Sequence, residues 1–159
     1  MTAGTAQRPE LTILVPVYNE QDSIAPFVAA LTPVLDGITR DWEILFVNDG
    51  SRDATLAQIR AAHGRDPRIV AIDFSRNFGK ESALSAGLDH ARGKAVIPMD
   101  VDLQDPPEVI PEMVARWREG AEVVRARREN RHSDTRLKRV TANMLYAMPA
   151  RLGDAPIPR

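Results

Sequence analysis

The sequence predicts an α/β fold, a mostly parallel sheet flanked by helices. Three observations predict it. Short runs rich in β-branched and aromatic residues alternate with longer stretches of helical spacing. Each of the first four runs is followed at once by a polar cluster, as expected where ligands bind beyond the carboxyl ends of parallel strands. The chain has 159 residues, enough for one domain with a real core but hardly for two.

The elements follow in order. The first ten residues have no apolar stretch and read as a disordered leader, not a signal peptide. Leu11–Val17 (LTILVPV) is a buried strand. Asp22 or Ser23 caps a helix running to about Leu35, with Pro26 tolerated in its first turn. Trp42–Val47 is the second strand, and Ser51 or Asp53 caps the next helix, to about His63. Ile69–Phe74 is the third strand. Glu81–Ala91 has helical spacing, and Gly93 is expected to end that helix as a left-handed cap. Ala95–Met99 is the fourth strand and runs into Asp100. Pro106-Pro107 opens a helix over 108–119. Glu122–Ala126 reads as a short fifth strand, and Arg136–Ala147 as a last helix. There is no internal repeat.

Composition is that of a soluble globular protein, 43% apolar and 27% charged, with net charge −1. This gives no overall attraction to nucleic acid, and none is expected as a partner. The charge is unevenly spread. Residues 1–120 carry 12 Lys/Arg against 18 Asp/Glu, whereas 121–159 carry 9 against 4. A basic end on an acidic body suits an anionic ligand or surface, or simply a solvated helix face. With no cysteine, disulfides and thiolate metal sites are excluded. No apolar run approaches the ~18–20 residues of a membrane span.

The polar clusters carry the candidate chemistry. In Asp100-Val101-Asp102-Leu103-Gln104-Asp105, two carboxylates two residues apart can point the same way. Left alone they repel. A hard divalent cation, Mg²⁺ or Mn²⁺, relieves the repulsion and bridges such groups to substrate phosphates, with Gln104 adding a neutral oxygen. A plain polar loop is the alternative. In Asn48-Asp49-Gly50-Ser51, Gly50 permits a turn and Ser51 a cap, while Asp49 can accept from a nucleobase N–H. In Pro16-Val17-Tyr18-Asn19-Glu20, Tyr18 can pack on a base and Glu20 can bond base or ribose. A glycine-rich dinucleotide fingerprint is missing at this point, which argues against a dinucleotide oxidoreductase.

Taken in order, these strings together with Ser75-Arg76-Asn77-Phe78-Gly79-Lys80 and Asp100–Pro107 resemble family 2 glycosyltransferases of the Rossmann-like GT-A fold. The nearest likeness is to polyprenyl-phosphate hexosyltransferases such as bactoprenol glucosyltransferases and dolichol-phosphate mannose synthases. It covers residues 11–159. The resemblance implies that Pro16, Tyr18, Glu20 and Asp49 line a nucleotide-base pocket. Asp100 would sit near ribose and diphosphate, and Asp102 and Gln104 would hold the metal. Asp100, Asp102 and Gln104 are thereby the catalytic candidates. Arg128 and Arg131 match positions directed at the acceptor phosphate, and Arg136, Lys138 and Arg139 extend that basic stretch. Asn48 stands where many relatives have an acidic residue. Relatives continue past a segment like 155–159 into an acceptor motif and membrane-embedding helices, so the domain is expected to be incomplete at its C-terminus.

The function so implied is metal-dependent, inverting transfer of a hexose from a nucleotide sugar, UDP-glucose being the expected donor, to a polyprenyl phosphate. The place is the cytoplasm or the cytoplasmic face of a membrane, with peripheral membrane contact and homo-oligomerisation as further expectations. Three alternatives stand beside it. One is a sugar-hydroxyl acceptor, which needs a carboxylate base that Asp134 and Asp154 supply poorly. The second is a nucleotide-sugar-binding remnant without activity. The third is a nucleotidyltransferase, against which the missing glycine-rich loop counts.

Overall fold

The computed structural model describes residues 8–126. They form β1 (Leu11–Val17), α1 (Ile24–Ile38), β2 (Trp42–Asn48), α2 (Thr55–Arg65), β3 (Ile69–Asp73), α3 (Lys80–His90), β4 (Ala95–Pro98), a 3₁₀ turn at Pro107–Val109 and α4 (Ile110–Arg118). All the strand pairings are parallel, in the order β3-β2-β1-β4. The chain builds outward from β1 through β2 to β3, then returns to place β4 on the other side of β1. The reversal makes a crevice between the carboxyl ends of β1 and β4, where α/β sheets bind ligands.

Period-2 geometry explains why the central strands read as continuous apolar runs. In β1, Leu11, Ile13, Val15 and Val17 face one layer, packed with Ile24, Phe27, Leu31 and Leu35 of α1, Ile59 of α2 and Val114 of α4. Leu14 faces the other layer with Leu45, Val47 and Ala83 of α3. Burying each such side chain contributes about 1.5–3 kcal/mol. The fold thus rests on β1 and β2, which are apolar on both faces.

Some local expectations are corrected. Segment 122–126 forms no strand, and Val123 is 77% exposed. Its β-branched residues satisfy local preference, but a strand exists only where a neighbour supplies the ladder. Gly93 is not left-handed. Its need for hydrogen in place of a side chain is steric, because a Cβ there would lie 2.5 Å from the Thr12 amide nitrogen. Helix α1 continues to Ile38 through an internal Pro33. Its N-cap residue is Ser23, but no side-chain cap forms. The Ser23 hydroxyl donates instead to Glu20 Oε2 at 2.7 Å. The expected helix over 136–147 lies outside the described residues. Among the described residues no helix is long and apolar enough to cross a membrane.

At the amino ends of the strands, away from the crevice, the buried carboxylate of Glu43 organises a polar network. Its Oε1 accepts from the Thr12 hydroxyl at 2.7 Å and from the Arg92 amide at 2.9 Å. Its Oε2 accepts from the Arg92 guanidinium at 2.8 and 2.6 Å. The Thr12 hydroxyl in turn accepts from the Gly93 amide at 2.9 Å. These bonds cross from β2 through β1 to the segment that delivers β4. Glu43→Ala strands the donors and is predicted to lower the unfolding free energy by ~3 kcal/mol in urea denaturation, with Glu43→Gln costing less because it keeps an acceptor.

Candidate functional site

Three loops meet in the crevice: residues 18–23 after β1, 49–54 after β2 and 99–105 after β4. The segment 74–79 before α3 closes one side. They enclose an open cleft of about 360 Å³. Six of the residues singled out in the sequence line it together: Pro16, Tyr18, Glu20, Asp49, Asp100 and Asp102. Gln104 lies two residues beyond Asp102 and is exposed, but it is not part of the cleft wall. Arg128, Arg131, Arg136, Lys138 and Arg139 lie outside the described residues. So do Asp134 and Asp154.

The aspartate pair reaches the cleft by continued alternation. Beyond the end of β4, Met99 and Val101 stay buried in the core while Asp100 and Asp102 face outward. The turn that follows is bent at Leu103, whose φ of 57° is unusual for a bulky side chain. Leu103 packs against the apolar core, which helps hold that conformation. The Gln104 amide donates to Asp102 Oδ1 at 3.1 Å, fixing the carboxylate's orientation.

The loops after β1 and β2 are clasped residue to residue. The Asn19 amide donates to Ser51 Oγ at 2.9 Å, the Glu20 amide to Thr55 Oγ1 at 2.8 Å and the Gln21 amide to Asp53 Oδ2 at 3.2 Å. In return the Arg52 amide donates to Asn19 Oδ1 at 2.9 Å and the Ala54 amide to Gln21 Oε1 at 3.0 Å. Ser51, expected as a helix cap, thus serves the opposite loop. Asp53 does accept from the Thr55 amide, the first residue of α2, at 3.0 Å. Bonds from the Thr55 hydroxyl, then from backbone amides, hold the Asp53 carboxyl below its usual range. The clasp presents Tyr18, 45% exposed, and Glu20 on a rigid base. A flat, half-exposed ring above a polar wall is suited to stacking on a nucleobase.

Asp49 is buried, and its two oxygens accept from the Phe78 amide at 2.7 Å and the Gly79 amide at 2.9 Å. Its first role is to fix the segment before α3. Each oxygen keeps a second lone pair for a ligand donor. Gly50, at φ 65°, passes so close to the backbone of Arg76 and Asn77 that no side chain fits. The 75–80 string stands out in the sequence, but its residue types alone give it no role. The cleft is also lined by Asn77, Gly79 and Lys80, and the position of that string at a strand's carboxyl end was the available signal.

Electrostatically the cleft wall is acidic. Among the described residues, Glu20, Asp49, Asp100 and Asp102 share the wall with a single cationic side chain, Lys80, whose Nζ lies 2.6 Å from Asp100 Oδ1. Among the described residues no group of three or more His, Asp or Glu forms a complete metal site. The donor set fits a different kind of site. Mg²⁺ and Mn²⁺ take one or two protein carboxylates and fill the remaining positions with substrate phosphate and water. Asp102, an exposed carboxylate on the cleft wall, is a group of that kind.

Residues 12–156 match the family model described as glycosyl transferase family 2. The chain belongs to that family. The bactoprenol glucosyl transferase of Shigella phage SfV is 49% identical over 139 residues, 87% of this chain and 45% of that protein. The prophage bactoprenol glucosyl transferase homolog of Escherichia coli (strain K12) is 46% identical over 148 residues, 93% of this chain and 48% of the relative. A mannosyltransferase from Pyrobaculum calidifontis, solved with GDP-Man and Mn²⁺, superposes with TM-score 0.59 and 27% identity over 69% of this chain and 32% of its own. This glycosyl transferase family 2 chain has the GT-A fold and spans about half the length of the curated relatives it matches.

A neighbouring strand accounts for Asn48. Its buried amide donates from Nδ2 to Asp73 Oδ1 at 2.7 Å. An acidic residue at 48 would face that carboxylate with no proton to offer. Asn48→Asp is predicted to cost ~2–3 kcal/mol in denaturation experiments, and adding Asp73→Asn should recover most of the loss by reversing donor and acceptor.

Proposed function

We propose that the chain binds the donor in a hexosyltransferase that moves a sugar from a nucleotide sugar, UDP-glucose, to a polyprenyl phosphate with inversion. The observation that carries this reading is the meeting of Asp100 and Asp102 with Tyr18, Glu20 and Asp49 in one cleft at the reversal of strand order. The names of the relatives, bactoprenol glucosyl transferases, support the hexose and the lipid.

An acidic cleft repels a nucleotide diphosphate unless a cation intervenes. Asp102 and Gln104 are the proposed ligands of Mg²⁺ or Mn²⁺, with Asp100 beside ribose and diphosphate. The bound ion would offset charge developing on the leaving diphosphate. Tyr18 stacks on the base, while Glu20 and Asp49 supply acceptors to base and ribose. The rigid clasp between the loops holds these groups before the donor arrives, which limits the ordering cost of binding. A lipid phosphate, with a second pKa near 6, is already ionised at neutral pH and needs no strong general base. That agrees with a basic C-terminal stretch, in which Arg128 and Arg131 are the proposed phosphate ligands, arginine matching phosphate oxygens in a bidentate fork. The same stretch supports contact with an anionic membrane surface, at ~1 kcal/mol per cationic residue.

Calorimetry with UDP and Mn²⁺ tests the donor site. The wild-type chain should bind UDP only when the ion is present, and Asp102→Ala should weaken binding at least about 100-fold, the ~3 kcal/mol scale of losing a charged ligand. Absence of UDP binding by the wild type overturns the proposal. Transfer of radiolabelled glucose to undecaprenyl phosphate, but not to a soluble sugar hydroxyl, is the expected acceptor preference.

A further inference from the structure

Among the described residues, Lys80 is the one cation on a cleft wall that carries four carboxylates. Its Nζ lies 2.6 Å from Asp100 Oδ1, and the two side chains are 59% and 53% exposed. An ion pair so open to water contributes little to stability and is readily exchanged. Nor does its place serve the helix. Lys80 is the first residue of α3, where a positive charge opposes the helix dipole. The backbone beneath it is nevertheless rigidly fixed, because Asp49 holds the amides of Phe78 and Gly79. A long, flexible cationic stem thus stands on a rigid base, aimed into an anionic cleft, with a weak partner.

We propose that Lys80 is a diphosphate-binding residue that exchanges partners. In the free cleft its ammonium neutralises Asp100. With donor bound it leaves Asp100 for a diphosphate oxygen and stabilises the leaving group. This rests on the donor reading above. In the transfer step the acceptor phosphate oxygen forms a bond to the anomeric carbon as the bond from that carbon to the diphosphate breaks. The electron pair departs with the diphosphate oxygen, and hydrogen bonds from Nζ hold the added charge. No proton has to move. A lysine serves here because it is a compact point charge on a mobile stem, able to trade one oxygen for another.

The test compares UDP, followed by calorimetry, with uridine, followed by NMR shift titration, both with Mn²⁺. Lys80→Met should weaken UDP binding about 10- to 100-fold and leave uridine binding unchanged, and Lys80→Arg should recover part of the loss. The denaturation midpoint should not move, because the ion pair is exposed. If the wild type binds UDP and Lys80→Met binds it equally well, the Lys80 proposal fails while the donor site stands. Equal weakening of UDP and uridine also overturns it, because Lys80 then shapes the cleft without touching the diphosphate. If the wild type binds no UDP, both readings fail together.

Discussion

The site depends on one buried carboxylate. Asp49 leaves the end of β2 and accepts from two successive backbone amides, those of Phe78 and Gly79. A carboxylate meeting two N–H groups forms short, charge-assisted bonds that are costly to break once buried. They tie the carboxyl end of a central strand to the segment that opens α3. Gly50 makes the approach possible by having no side chain where the backbone of Arg76 and Asn77 passes. The position of Lys80, and through it the charge balance at Asp100, follows from this tie. Lateral clasping of the 18–23 and 49–54 loops completes the wall.

What was legible in the sequence was whatever depends on neighbours in the chain. The strands β1 and β2 announced themselves because both faces are buried, so no polar residue interrupts the central runs of Leu11–Val17 and Trp42–Val47 apart from Thr12 and Glu43. Those two are the exceptions that the structure explains, since they bond to each other across paired strands. The rim was legible for a related reason: in a parallel sheet every strand delivers its next few residues to the same edge. The meeting of Tyr18, Asp49, Asp100 and Asp102 therefore follows from strand order, without any knowledge of the loops.

What was not legible depends on partners far along the chain. Ser51 looks like a helix cap by local rules, yet its oxygen is taken by the amide of Asn19, 32 residues away. Gly93 looks like a left-handed terminator, yet the constraint on it comes from Thr12, across the sheet. The stretch 122–126 has strand-like composition, but a ladder needs a second strand, and composition says nothing about where one is. The resemblance implies an acidic residue where Asn48 stands, and the facing Asp73 gives the amide its reason. Lys80 stands out in the sequence only as the last residue of the 75–80 string, because a lone lysine there reads as a solvated charge. Its significance lies in what α3 is packed beside.

The cleft's charge then limits the mechanism. Among the described residues, four carboxylates against one ammonium make a poor receptor for a diphosphate and a good receptor for a cation. A wall of this kind acts on anions only indirectly, through positive charge brought to it or released within it. The buried carboxylate Asp49 is already committed to backbone amides, and Glu20 to the Ser23 hydroxyl. The carboxylates at the β4 rim are the exposed ones, with Asp100 balanced by Lys80 and Asp102 accepting from the Gln104 amide. The two ends of the wall are therefore chemically different. The β1 and β2 side is pre-bonded and rigid, suited to recognising a fixed shape such as a base. The β4 side holds exchangeable charge, suited to a group whose charge changes during reaction. That division follows from the strand order, because β4 alone lies across the reversal from the clasped loops.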